Sequence, residues 1–198
     1  VLHSDLNGSF WGPDSSSHTI QNHTYYSTLS LWDTFRAQNA LLSLLQPQRA
    51  RDIALTLLTH ASLFRNILPI WTMGGKETDT MPGYHAVCIL AEALQKGLVS
   101  LDEARMALDA AVATSRKKTA ALEDYGYIPY DMEYESATKT LEYAYDDWCV
   151  SQLAKAVGDS ALENQYANRS MFYKNMFDSK TGFMRPRNKQ GGFMKRFD

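Results

Sequence analysis

At 198 residues, 44% of them hydrophobic and 21% charged, the chain is long enough for one domain with a real core and too apolar to be disordered. A net charge of -2 with no basic run argues against nucleic acid as a main partner, and no apolar run approaches the roughly 20 residues of a membrane span. No serine nucleophile elbow, phosphate loop or dinucleotide fingerprint occurs, and no two histidines stand at i, i+4, so an enzyme here is left with carboxylate-driven acid/base chemistry.

Residues 1–28 carry no helical period and are broken by Gly8, Gly12, Pro13 and three consecutive serines, which predicts short strands or irregular structure. Helix one is expected over 28–45, with Leu29, Trp32, Ala37, Ala40, Leu41, Leu44 and Leu45 at its apolar or small positions. Helix two starts at Pro47, where a missing N–H costs nothing, and Ala50, Ile53, Ala54, Leu57, Leu58 and Ala61 form one buried stripe. A long polar loop, 71–85, follows, with paired Gly74 and Gly75 among Trp71, Lys76, Glu77, Asp79 and His85. Such loops on rigid scaffolds tend to carry function, although a surface loop with chance polar residues reads the same way.

Helix three is expected over 82–96 with Gly97 closing it. Helix four begins at Ser100, with Glu103 completing a capping box. Its inward stripe is Leu101, Ala104, Leu108, Ala111, Val112 and Ser115. A second long loop, 123–134, leads to helix five over 135–157, and Asp159 or Ser160 caps helix six, which reaches about residue 177. A turn and a short strand at 183–185 precede a polar tail. The odd helices start near residues 29, 82 and 135, a spacing of about 53 residues that is too long for a common solenoid repeat and fits consecutive hairpins of a larger helical toroid. Short links fall on one rim and long links on the other, so the long-link rim gathers three polar-aromatic clusters.

Each cluster has a plain and a functional reading. Trp32, Asp33 and Arg36 form either a surface ion pair at i, i+3 or a carboxylate that takes two sugar hydroxyls above a stacked indole. Glu77 and Asp79 are two residues apart, which is diagnostic neither of glycoside hydrolysis nor of a cation site. Glu133, Glu135, Glu142, Asp146 and Asp147 are a solvated acidic face, a buried network or a ligand wall; Glu142 and Asp146 share a helix face and repel, and Lys139 is placed to offset them. His85 is a core histidine or a ligand contact. Cys88 and Cys149 lie in apolar helical segments and read as buried free thiols; the alternative, a disulfide between them, needs the two helices to be neighbours at matching depth. Three sequons, at Asn7, Asn22 and Asn168, permit glycosylation and lean towards an exported protein, secreted or periplasmic. There is no signal peptide, and a chain that opens at Val1 without Met reads as part of something longer.

Several of these segments together resemble one family. Ser30-Leu31-Trp32-Asp33-Thr34-Phe35-Arg36, the Gly-Gly-Lys-Glu-Thr-Asp loop, Gly83-Tyr84-His85-Ala86, Gly126-Tyr127-Ile128-Pro129, the run from Lys139 to Cys149, and Thr181-Gly182-Phe183-Met184-Arg185 are similar, in order, to the α-mannosidases of glycoside hydrolase family 92. The resemblance implies an all-α chain of three hairpins, about half of an (α/α)6 toroid. It divides into an irregular or β lead-in at 1–28 and a partial catalytic domain at 29–198. It implies a calcium-dependent, inverting exo-α-mannosidase acting on mannose-containing glycans, with an N-terminal β-sandwich and the rest of the toroid as its missing partners. Calcium would help distort the mannose ring and orient the nucleophilic water. The general acid, the base and the calcium ligands are expected beyond residue 198, so no catalytic or metal-binding residue is assigned within this chain. The resemblance assigns to substrate binding Trp32 and Asp33 at the −1 subsite, Glu77 and nearby loop residues at the rim, and, as further candidates, His85 and Glu135. The competing classes are a non-catalytic helical scaffold or glycan-binding module and an (α/α)6 glycosidase of other sugar specificity.

Overall fold

A computed structural model describes residues 4–196; the ends of both expected divisions, 1–3 and 197–198, lie outside it. The lead-in forms a small antiparallel hairpin of β1 (Ser9–Trp11) and β2 (Ser17–Thr19), anchored by Phe10, whose ring stacks on Tyr25 at 3.7 Å.

The expected first helix is not continuous. Its start is a strand, β3 (Leu29–Ser30), followed by a single turn, α1 (Leu31–Thr34), and only then α2 (Gln38–Leu45). Tertiary contacts override local propensity here: β3 pairs with β4 (Trp71–Met73), which returns to β5 (Lys76–Glu77), and the side chains of residues 32 and 36 are held by another helix. Leu41, Leu44 and Leu45, among the apolar positions of the expected helix, are 55%, 71% and 69% exposed. The Gly-Gly stretch is likewise more ordered than a loop. Met73 pairs with Lys76 across a two-residue turn in which Gly74 (φ 58°) and Gly75 (φ 84°) are both left-handed, the backbone that a type I′ hairpin demands. A Cβ on Gly75 would stand 2.0 Å from the Trp11 carbonyl oxygen, so the hairpin tip and the lead-in need glycine to pack together.

Six helices then form the three hairpins. Helix α3 (Pro47–Leu63) follows α2, α5 (Leu101–Lys118) follows α4 (Ala86–Gln95), and α8 (Ser160–Arg169) follows α7 (Ser136–Val157). Helices α2, α4 and α7 touch in succession as one layer, and α3 and α5 back them as a second, as expected of a segment of a helical toroid. The stripe of α3 is buried at every expected position, and Ser100 and Glu103 complete the capping box of α5, whose stripe is buried except at Leu101. Helix α4 starts at Ala86, not at Pro82; the segment before it is bent, with Met81 and Gly83 left-handed, and is held by side-chain contacts described below. A short helix, α6 (Ala120–Tyr125), runs into the start of the second long loop. The sixth helix stops at Arg169, and a 3-10 turn (Phe172–Met176) leads into a hairpin of β6 (Phe177–Asp178) and β7 (Phe183–Met184). Cys88 and Cys149 are both buried and free.

Candidate sugar-binding wall

Adjacent aspartates on α7 grip the segment that enters α4. Asp146, fully buried, accepts the Tyr84 backbone N–H on Oδ2 at 2.6 Å, and His85 Nδ1–H at 2.7 Å and the Cys88 thiol at 3.2 Å on Oδ1. Burial holds the Cys88 thiol well above its ordinary range, so it remains a donor. Asp147 accepts the Tyr84 hydroxyl and a two-pronged bond from Arg169, with Nε at 3.0 Å and Nη2 at 3.2 Å. Burial pushes the Asp147 carboxyl up to about 6, against the pull of Arg169. Arg169 also donates to Ser115 and Thr119, tying α8 to α5 and α7. Gly83 (φ 91°) completes the grip, because a Cβ there would lie 2.2 Å from His85 Nε2.

His85 sits between the two carboxylates that share a face of α7. Its Nδ1 bonds Asp146, and its Nε2 stands 3.4 Å from Glu142 Oε2 without an aligned hydrogen bond. Lys139, expected to offset them, pairs with Glu133 at 3.0 Å. Glu142 Oε1 accepts the Trp32 indole N–H at 3.2 Å and Arg36 Nη2 at 2.6 Å, while the Arg36 guanidinium lies over both the Trp32 and Phe35 rings. Phe35 stacks on His85 at 4.1 Å. Arg36 therefore does not take up the i, i+3 pairing with Asp33 that spacing allowed; exposed Asp33 accepts the Ser30 hydroxyl. Phe35, Arg36, Glu142 and Tyr145 line a cleft of about 330 Å³ at this point.

Of the five expected site residues, the structure joins Trp32 and His85 through Glu142 and leaves Asp33 beside them in sequence. Glu77 is engaged by its own hairpin. Its carboxylate accepts the backbone N–H groups of Ile70 at 2.7 Å, Trp71 at 3.1 Å and Asp79 at 2.6 Å, so it shapes the loop. Glu135 lines a different cavity, of about 400 Å³, with Asp79, Met81, Lys118, Glu133 and Lys139. Asp79 (φ 51°), Met81 (φ 74°) and Glu135 (φ 57°) are left-handed there without being glycine, a strain that the surrounding contacts must hold in place. Sequence reasoning placed Glu142 in an acidic cluster but not at the centre of the site. The signal in the sequence was the carboxylate pair at i, i+4, whose nearest cation, Lys139, turns to Glu133.

One cluster among the described residues combines metal-ligating types: His85, Cys88 and Asp146. Its nitrogen, sulfur and oxygen donors do not suit calcium, which takes six to eight oxygens. The three groups already satisfy one another as hydrogen-bond partners.

Comparison with known proteins accords with this geometry. A family model described as the glycosyl hydrolase family 92 catalytic domain matches residues 2–198. A family GH92 α-mannosidase from Bacteroides thetaiotaomicron, solved in complex with mannoimidazole, superposes with a TM-score of 0.91 at 35% identity over 100% of this chain and 26% of that one. A family GH92 inverting mannosidase from Bacteroides thetaiotaomicron VPI-5482 gives 0.86 at 26% identity over 100% of this chain and 28% of its own length. The chain thus spans little more than a quarter of either protein. No curated protein matches it in a sequence comparison. With a family model matched along nearly its whole length, the chain belongs to glycoside hydrolase family 92.

Proposed function

We propose that this chain is the portion of an exo-α-mannosidase that builds one wall of the mannose pocket, for an enzyme that removes terminal α-mannosides from glycans with inversion. The observation that carries the reading is the meeting of Trp32, Arg36, His85 and Glu142 at one end of the helix layer, from three segments far apart in sequence. Half-buried indole, exposed carboxylate and fixed guanidinium are the groups that a pyranose ring with its hydroxyls recognises. In this reading Trp32 and Asp33 take the sugar at the −1 subsite. Glu77 and Glu135 act behind the rim, Glu77 by fixing the hairpin and Glu135 by starting α7.

An inverting hydrolase needs a carboxylic acid to protonate the leaving oxygen and a carboxylate base about 6.5–9.5 Å away to activate water. We assign neither to this chain; both belong to the remainder of the toroid, as does calcium, since the residues described here do not fit it. The enzyme is exported, in keeping with exposed Asn7, Asn22 and Asn168 at its three sequons.

The test uses the complete protein against a panel of aryl glycosides, with and without a chelator. It turns over α-mannosides alone, and loses turnover when chelated. Asp33→Ala lowers kcat/KM at least about a hundredfold, as expected when a charged hydrogen-bond acceptor to substrate is lost. Hydrolysis of another sugar, or near-normal activity of Asp33→Ala, contradicts the reading.

A further inference from the structure

Glu142 has an acceptor to spare. Its Oε1 is fully engaged by Trp32 and Arg36, whereas Oε2 faces His85 Nε2 at ion-pair range without an aligned hydrogen bond. Its side chain is 16% exposed and opens on the cleft formed with Phe35, Arg36 and Tyr145. About 330 Å³ is at the small end of ligand pockets, a size for one sugar unit and not for a long chain. Tyr145 is 45% exposed and offers an aromatic face there.

The carboxylate is held on Oε1 by Arg36 and Trp32, and His85, packed beside Oε2, is itself fixed by buried Asp146 and by Phe35 stacked on its ring. A rigid carboxylate and guanidinium beside an exposed aromatic ring form a recognition unit for vicinal hydroxyls: the carboxylate accepts, the guanidinium donates, and neither must be ordered on binding. Resting on the mannosidase reading above, we propose that Glu142, with Arg36, binds adjacent hydroxyls of the sugar, and that Asp146, acting through His85, is the positioning residue that holds Glu142 in place.

The measurement is the affinity of the complete protein for mannoimidazole by calorimetry, alongside kcat and KM for an aryl α-mannoside and thermal unfolding of each variant. Glu142→Gln keeps the size of the side chain but loses its charge; binding weakens about tenfold or more and KM rises in step, with the melting temperature little changed. Asp146→Asn weakens binding by a smaller factor. The double variant binds no worse than Glu142→Gln alone, because Asp146 acts through the group already altered. A purely structural Asp146 would give additive losses in the double variant together with a lowered melting temperature, and would overturn the positioning role. Wild-type affinity in Glu142→Gln, beside an inactive Asp33→Ala, would overturn the assignment of Glu142 while leaving the mannosidase reading intact. A wild-type protein that neither binds mannoimidazole nor cleaves α-mannosides would overturn both.

Discussion

At the residue scale, buried Asp146, Asp147 and Arg169 are satisfied by hydrogen-bond partners, whereas His60 is not. It is 1% exposed, and neither ring nitrogen has a hydrogen-bond partner among the described residues. Burial lowers its pKa to about 4, so it sits neutral in the core. Below about pH 6.5 the unfolded chain binds a proton on this imidazole that the folded chain refuses until about pH 4. Stability therefore falls as the pH drops through that window, by roughly 3 kcal/mol for this one group, and is unaffected by it at higher pH. His60→Leu should give a shallower decline in denaturant-unfolding stability between pH 6.5 and 4. A slope identical to that of the unaltered protein would contradict the assignment. His85 has the opposite environment, a carboxylate at each ring nitrogen. Composition and spacing could not separate these two histidines, because the partners of His85 lie about sixty residues along the chain.

At the element scale, helices with strong local signals formed where the sequence placed them. Pro47 at a first turn, the Ser100–Glu103 box and Gly158 in a left-handed C-cap each act within a few residues, so each was legible. The failures share one cause. The break between α1 and α2 lies where Trp32 and Arg36 reach Glu142, 110 and 106 residues away, and the Gly-Gly hairpin finds a third strand 43 residues back, at Leu29↔Thr72. Long-range partners leave no local period. The α5–α7–α8 junction is held in the same way by Arg169. Arg169→Met would leave Asp147 buried without its cation, at a cost of about 3–5 kcal/mol. Adding Asp147→Asn to that variant should recover part of the loss in equilibrium unfolding. If Arg169→Met unfolds like the parent, the ion pair does not hold the junction.

At the scale of the molecule, three hairpins make an arc with exposed apolar side chains that no described residue covers. Leu41, Leu44 and Leu45 on α2, with Trp148 on α7, are all more than 40% exposed. Exposed clusters of this kind mark surfaces meant for a partner. Expressed alone, the chain should bind a hydrophobic dye, self-associate in size-exclusion chromatography and lack mannosidase turnover. A monomer that does not bind dye, or measurable turnover, would contradict the reading of the chain as part of a larger toroid. Family membership was legible in ordered motifs spread along the sequence, whereas the placement of Glu142 between Arg36 and His85 needed three dimensions. A crystal structure of the complete protein with mannoimidazole bound decides whether this chain walls the sugar pocket. The ring should lie beside Trp32, with Asp33 and Glu142 within hydrogen-bond distance of its hydroxyls; a ring out of reach of both carboxylates would overturn the assignment.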